Sequence, residues 1–240
     1  MKNLQKPSSE SIQSMFDGLA SRYDLFNHLT GMGLASRWRA ITLEPVQPGM
    51  KILDLGCGTG DLAIAAIQKM GNQGEVVALD FSKNMLGFAQ QRAKKLGYNG
   101  STRIRWIQGR AEDLPIESEP YDAVVSGFVL RNLVENIDVI LKKVHQSLKK
   151  GGFVRFLDIT QPQNVVTRIL WTTYMNTVVA LYGKVLFGKD YPILYLTESA
   201  KRFFCARDFA KKLGQIGFTS IQTKSFMLGA VTLYTAERPF

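Results

Sequence analysis

The stretch Lys51-Ile-Leu-Asp-Leu-Gly-Cys-Gly-Thr-Gly60 constrains this chain more than any other segment. A short apolar run breaks into three alternating glycines and then into residues with helical apolar spacing, the pattern of a strand turning sharply into a helix. Gly56, Gly58 and Gly60 let the main chain fold tightly and lie against a ligand with no Cβ in the way. Dinucleotide sites continue to a third glycine three residues further on and receive a pyrophosphate at the helix N-terminus. Here the order is G-x-G-x-G with Asp54 at the mouth of the loop. An acid there repels phosphate and attracts a cationic or amino-bearing ligand. S-adenosylmethionine, with an ammonium, a sulfonium and no phosphate, fits that description; S-adenosylhomocysteine is then the product.

Strand and helix patterns alternate after residue 50. Apolar runs at Lys51–Leu55, Val76–Asp80, Ile104–Gln108, Tyr121–Val125 and Phe153–Asp158 read as strands. Asp61–Met70, Lys83–Lys95 and Asn136–Lys149 carry helical spacing. This alternation predicts an α/β fold, a doubly wound parallel sheet with helices on both faces. Asp208–Ile216 reads as a last helix, followed by an antiparallel pair, Phe218–Phe226 and Val231–Glu237, around Gly229. The whole of 1–240 reads as one domain. Residues 9–48 form a helical cover over the cofactor mouth, 50–160 the cofactor-binding core, 163–203 an insert, and 206–240 the closing helix and strands.

Within that frame the cofactor residues can be assigned. Asp54 holds the ammonium directly or through water, and Thr59 offers a hydroxyl in the loop. Asp80, at the end of the second strand, accepts the ribose hydroxyls. Phe81 follows it, and Met85 packs either on the adenine face or in the core. The loop Gly109-Arg-Ala-Glu-Asp-Leu-Pro115 is placed to cap adenine through Arg110, Ala111 and Glu112, with solvated loop charge as the alternative.

Composition narrows the class. Cys57 and Cys205 lie far apart, so a reducing cytoplasm is expected and no disulfide framework. No Cys/His cluster has zinc spacing. The apolar stretch from Ile169 to Gly183 is interrupted by threonines and Asn176 and is too short to span a bilayer. Thirty basic against twenty acidic residues leave a net charge of +10, which suits nucleic acid, an anionic membrane surface, or solubility alone.

Three further segments speak to the acceptor. Phe16-Asp-Gly-Leu-Ala-Ser-Arg-Tyr23-Asp24-Leu-Phe-Asn27 leads through Gly33 to Arg37-Trp38; Leu130-Arg131-Asn132-Leu133 follows strand four; and Val144-His-Gln-Ser-Leu-Lys-Lys-Gly151-Gly152 leads to Asp158-Ile-Thr-Gln-Pro162. Together with Tyr195-Leu-Thr-Glu-Ser199, these resemble the signatures of the ubiquinone/menaquinone biosynthesis C-methyltransferases over nearly the whole chain. The resemblance implies a class I methyltransferase, Rossmann-like fold with a mostly parallel sheet and an antiparallel C-terminal strand. It also implies methyl transfer from S-adenosylmethionine to a ring carbon of a prenylated quinol. It adds Ser126 and Gly127 to the cofactor set: Gly127 stands where a serine is usual, and Ser126 is adjacent. Arg110 replaces the usual Asn or Asp beside adenine.

For the acceptor, the resemblance points to Tyr23, Asn27, Arg37 and Tyr195 as substrate contacts and to Arg131 and Asn132 as catalytic. A ring carbon beside a phenolate is nucleophilic, an ordinary phenol titrates near 10, and a fixed guanidinium favours the anion. Arginine is a poor proton acceptor, which leaves water, Asp24, His28 or Asp158 as base. The structural alternatives are that Arg131 and Asn132 cap a helix starting near Val134 and that Tyr23, Asn27 and Arg37 pin the N-terminal helices.

A lipophilic quinol requires visits to the inner face of the cytoplasmic membrane. The insert carries Trp171, Tyr174, Tyr182, Phe187, Tyr191, Tyr195, Phe203 and Phe204 beside Arg168, Lys184, Lys189, Lys201 and Arg202, a mixture suited to peripheral binding. A homodimer is left open. Nucleic acid is not an expected partner: no basic stretch interleaves with stacking aromatics, and the residues after strand four are not those of a base-modifying enzyme. Another small aromatic acceptor, and a cofactor-binding module without turnover, remain as alternative readings.

Overall fold

The computed structural model describes residues 22–71, 73–98, 103–114, 119–188 and 195–240. Seven strands form one sheet: β1 (Lys51–Leu55), β2 (Glu75–Asp80), β3 (Ile104–Gln108), β4 (Tyr121–Gly127), β5 (Leu148–Ile159), β6 (Thr219–Phe226) and β7 (Val231–Glu237). The helices are α1 (Tyr23–Thr30), α2 (Ala35–Thr42), α3 (Asp61–Lys69), α4 (Lys83–Lys95), α5 (Ile137–Ser147), α6 (Val165–Tyr174), α7 (Ala180–Phe187), α8 (Tyr195–Arg202) and α9 (Ala206–Ile216). A π-helical turn, Met175–Val179, joins α6 to α7.

The strand order is β3-β2-β1-β4-β5-β7-β6. The first five strands run parallel, and β7 lies antiparallel between β5 and β6. From β1 the chain winds outward to β2 and β3, then returns to build β4 and β5 on the other side. The switch between β1 and β4 leaves a crevice beyond the C-terminal strand ends, where open sheets of this kind bind ligands.

Side chains alternate across each strand, and two cores result. Leu53, Leu55, Val77, Leu79 and Val124 face α5 and α9 with Ile140, Val144, Phe209 and Leu213. Ile52, Val76, Ala78, Ala123 and Val125 face α3 and α4 with Ala63, Ile67, Leu86 and Ala93. These strand residues are almost fully buried, as strands covered on both faces must be. The same alternation places Asp54 and Asp80 on the α3/α4 side and Ser126 on the α5 side.

Several boundaries differ from the sequence expectation. The helix after strand four stops at Ser147, because Leu148 turns extended (φ −79°, ψ 151°) and pairs with Tyr121. Lys149 to Gly152 then bulge out of β5 before Phe153 pairs with Ala123, with Gly151 in the left-handed region (φ 75°). The closing turn between β6 and β7 is tighter than a lone glycine suggests: Met227, Leu228 and Gly229 are all left-handed.

Around Phe209 the closing elements lock onto the sheet. Its ring meets Tyr234 of β7 edge-on at 4.8 Å and lies 5.2 Å from Phe203, and it is fully buried. Truncating such a ring leaves a cavity and costs about 3–5 kcal/mol. Phe209→Ala is expected to lower the thermal midpoint by roughly 10 °C, read by circular dichroism; a shift of only a degree or two would contradict this packing.

Candidate active site

Beyond the C-terminal ends of β1, β2, β3 and β4 lies a cavity of about 400 Å³. Its floor is the glycine loop. Gly56 is left-handed (φ 71°), and a Cβ there would meet the Val129 side chain at 2.6 Å. Gly58 is also left-handed, but a Cβ on it would meet nothing within 4 Å, because that surface opens into the cavity. Gly60 does not line the cavity. It turns the chain into α3 (φ 84°), where a Cβ would press on Ala89 and Trp106 at 3.0 Å. Its place in the cofactor set is therefore conformational.

Asp54 ends at the cavity wall, 1% exposed, with no hydrogen-bond partner on either carboxylate oxygen. Burial pushes its pKa up to about 8; the nearby charges of Asp80 and Asp61 add to the rise, while the backbone of Ala63 and the Arg39 guanidinium oppose it. A buried orphan acid is costly, and a cation in the cavity is what satisfies it. The adjoining Cys57 thiol, also in the wall, is raised well above its ordinary range by burial and by the charges of Asp80 and Asp54, and stays neutral.

Asp80 is held in place by the fold itself. Gly58 N–H donates to one carboxylate oxygen at 2.8 Å and Ser82 N–H to the other at 2.9 Å. A carboxylate accepts about four hydrogen bonds, so this clamp is compatible with two ribose hydroxyls. Ser82 also caps α4, accepting from the Met85 amide. Met85 and Phe81 both line the cavity, as do Arg110, Ala111 and Glu112 past β3. Glu112 accepts from Asn136 Nδ2 at 2.7 Å and its carbonyl from Lys143 at 2.5 Å, so the loop is tied to α5.

Past β4 the placement departs from the sequence reading. Ser126 lies on the opposite sheet face, 1% exposed, donating to the Leu55 carbonyl at 2.7 Å, and does not line the cavity. Gly127, one residue on, does, since its parity is that of Val125. Phe128, missed in the sequence, adopts a left-handed backbone (φ 63°). A non-glycine residue in that region carries strain and is enriched at functional sites. Arg39, Asp61 and Val129 also line this cavity without any motif announcing them.

Phe128 is shared with a second, apolar cavity of about 80 Å³, walled by Trp38, Trp171, Tyr174, Met175 and Ile159 with Arg131. Arg131 is buried and ion-paired: Nη1 donates to Asp158 Oδ1 at 2.9 Å and to the Phe128 carbonyl, while Asp158 Oδ2 accepts the Arg131 amide at 3.1 Å. Asp158 is fully buried, which raises its pKa, with Arg131 opposing the rise. A 3-10 turn does begin at Val134, as expected, and runs into α5 at Ile137, but neither start has a side-chain cap, so the helix-capping alternative does not hold. Asn132 instead lines the cofactor cavity.

Of the other candidates, Arg37 is exposed on α2 and lines neither cavity, and His28 is exposed on α1. The side chains of Tyr23, Asp24, Asn27 and Tyr195 lie outside the described residues. The insert does pack against the N-terminal helices: Tyr174 donates to the Thr30 carbonyl at 3.0 Å, and Phe26 stacks edge-on with Phe187.

Comparison with known proteins agrees with this geometry. A family model described as the ubiE/COQ5 methyltransferase family matches residues 4–238. A protein of Bacillus cytotoxicus named demethylmenaquinone methyltransferase is 33% identical, over 98% of this chain and 99% of its own length. One of the same name from Bacillus cereus (strain ATCC 10987) has the same identity and coverage. Among solved structures, a SAM-dependent methyltransferase from Aquifex aeolicus has a TM-score of 0.63 at 15% identity, covering 93% of this chain and 97% of that one. Another from Thermotoga maritima gives 0.63 at 16%, covering 94% and 99%. The structures share the class I methyltransferase fold, while the sequence match runs nearly end to end: the chain belongs to the ubiE/COQ5 methyltransferase family and is an S-adenosylmethionine-dependent enzyme.

Proposed function

We propose that this enzyme methylates a ring carbon of a prenylated quinol, in a reaction of the demethylmenaquinol-to-menaquinol type. The observation that carries the reading is the apolar chamber beside the cofactor cavity, divided from it by Phe128 and carrying one buried guanidinium in an otherwise greasy wall. The names of the relatives support the naphthoquinol member of the class.

The bound cofactor supplies an electrophilic methyl on its sulfonium. The residues do the rest. Trp38, Trp171 and Tyr174 offer flat apolar surface to a ring and exclude water from it. Arg131 places a fixed positive charge where a phenol oxygen can lie, favouring phenolate and directing electron density to the neighbouring carbon. Asp158, sealed from solvent, positions that guanidinium. Asn132, one residue further on, stands in the cofactor wall, where its amide can meet an acceptor oxygen only as the ring reaches past Phe128 toward the methyl donor.

The substrate lives in lipid, and a lipid surface is the proposed partner. Val165, Val166, Ile169, Leu170, Leu181 and Val185, each more than half exposed, lie along the α6–α7 segment. The opposite face buries Trp171, Met175, Val179 and Gly183 at intervals of four. Lys184, Lys201 and Arg202 are exposed on the insert, and Lys189 lies outside the described residues. No helix among the described residues is long and apolar enough to cross a membrane. Apolar residues on the free face with basic neighbours suit interfacial docking.

The test of the reaction is direct. Purified protein, S-adenosylmethionine and chemically reduced demethylmenaquinol are expected to give S-adenosylhomocysteine and a quinol heavier by one methyl, seen by mass spectrometry. Arg131→Lys keeps the buried charge but not the guanidinium geometry and should lower kcat about 100-fold with cofactor affinity unchanged. Methyl transfer to neither naphthoquinol nor benzoquinol would overturn the reading.

For the membrane, the wild type is expected to sediment with anionic vesicles, and the Ile169→Glu/Leu181→Glu double variant to lose about 10-fold in that binding. Unchanged sedimentation of the variant would contradict the lipid surface. A wild-type dimer that the variant breaks, without vesicle binding by either, would assign the stripe to a second copy.

A further inference from the structure

Arg39 stands in the wall of the cofactor cavity, and no sequence motif or residue role discussed above accounts for it. It comes from α2, outside the sheet, with its side chain 19% exposed. Its Nη2 lies 2.6 Å from Asp61 Oδ2 at the start of α3. The other Asp61 oxygen accepts from Arg92 Nη1 of α4. One carboxylate thus sits between two guanidiniums, and the cluster keeps a net positive charge. Arg39 acts electrically on Asp54 as well, opposing the rise that burial imposes on that acid. An orphan buried carboxylate and an excess cation therefore share one end of the cavity.

The orientation of the cofactor follows from the rest of the wall. Asp80 marks the ribose at the end of β2, and Arg110 to Glu112 mark the adenine past β3. The opposite end, at β1 and β4, must take the methionine part, which is a zwitterion. Its ammonium needs a fixed negative group and its carboxylate a fixed positive one. Asp54 supplies the first. Among the residues lining the cavity, Arg39 and Arg110 are the cations, and Arg110 is at the adenine end.

We propose that Arg39 binds the carboxylate of the cofactor's methionine part, using guanidinium donors that Asp61 holds in place without consuming them all. This deepens the S-adenosylmethionine reading of the same cavity and rests on it. It also gives the N-terminal cover a function: α2 docks on α3 through Arg39–Asp61 and delivers a ligand contact that the sheet does not provide.

The test compares two ligands by calorimetry on the full chain: S-adenosylmethionine, and decarboxylated S-adenosylmethionine, which keeps the ammonium and sulfonium but lacks the carboxylate. The wild type is expected to bind the first roughly 10- to 100-fold more tightly. Arg39→Gln should remove most of that preference, weakening S-adenosylmethionine while leaving the decarboxylated ligand within about twofold; Arg39→Lys should keep part of it. A latch without ligand contact would weaken both ligands equally in Arg39→Gln, and that result overturns the proposal. So does a wild type that binds the two ligands alike, a measurement that needs no variant to fold. A wild type that binds neither ligand would instead refute the cofactor reading beneath it.

Discussion

A carboxylate shut away from water with neither oxygen in a well-formed hydrogen bond is expensive for any fold to keep, and the whole site is arranged around one. Asp54 occupies that position at the end of β1. The glycine loop bends around it because Gly56 and Gly58 adopt left-handed backbone that other residues reach only with strain. The switch in strand order beside β1 opens the crevice above it. With its pKa raised by burial, Asp54 suits a cationic amino ligand and disfavours a phosphate. Asp80, clamped by two backbone amides, adds a second acid whose geometry is fixed before any ligand arrives.

The second, apolar cavity obeys a different logic. Its one charged group, Arg131, is compensated by Asp158, and both are buried. Removing either partner of such a pair strands the other, at about 3–5 kcal/mol, so the pair has a structural role whatever chemistry it serves. The pairing with Asp158 is what lets a guanidinium stand in a chamber of Trp38, Trp171 and Tyr174. Phe128 binds the two halves together: it lines both cavities, its strained backbone places it there, and its carbonyl accepts from Arg131.

The parts legible in the sequence were those with a local period or a special backbone need. The parallel strands announced themselves as buried apolar runs, and the glycines as a turn with no room for Cβ. Asp54 and Asp80 were readable because the first interrupts such a run just before the glycines and the second closes one. What escaped is what tertiary packing decides. Ser126 and Gly127 differ only in strand parity, and one residue of register turns Ser126 toward Leu55. Arg39 lies on a helix with no motif of its own. Arg131 stood out, but its partner Asp158 is 27 residues away on β5, and only the pairing of β4 with β5 brings them together.

The central claim, that an unpaired buried acid under the glycine loop selects the cofactor, has a direct measurement. Calorimetric titration of the cofactor between pH 6 and 7.5, in buffers of different ionisation enthalpy, counts the protons released on binding. With Asp54 titrating at about 8 in the empty protein and held ionised against the ammonium, close to one proton should leave per cofactor bound. Affinity should then tighten towards tenfold per pH unit as pH rises across this range, and Asp54→Asn should abolish both effects. An affinity that is flat with pH, with no proton released, would contradict the account.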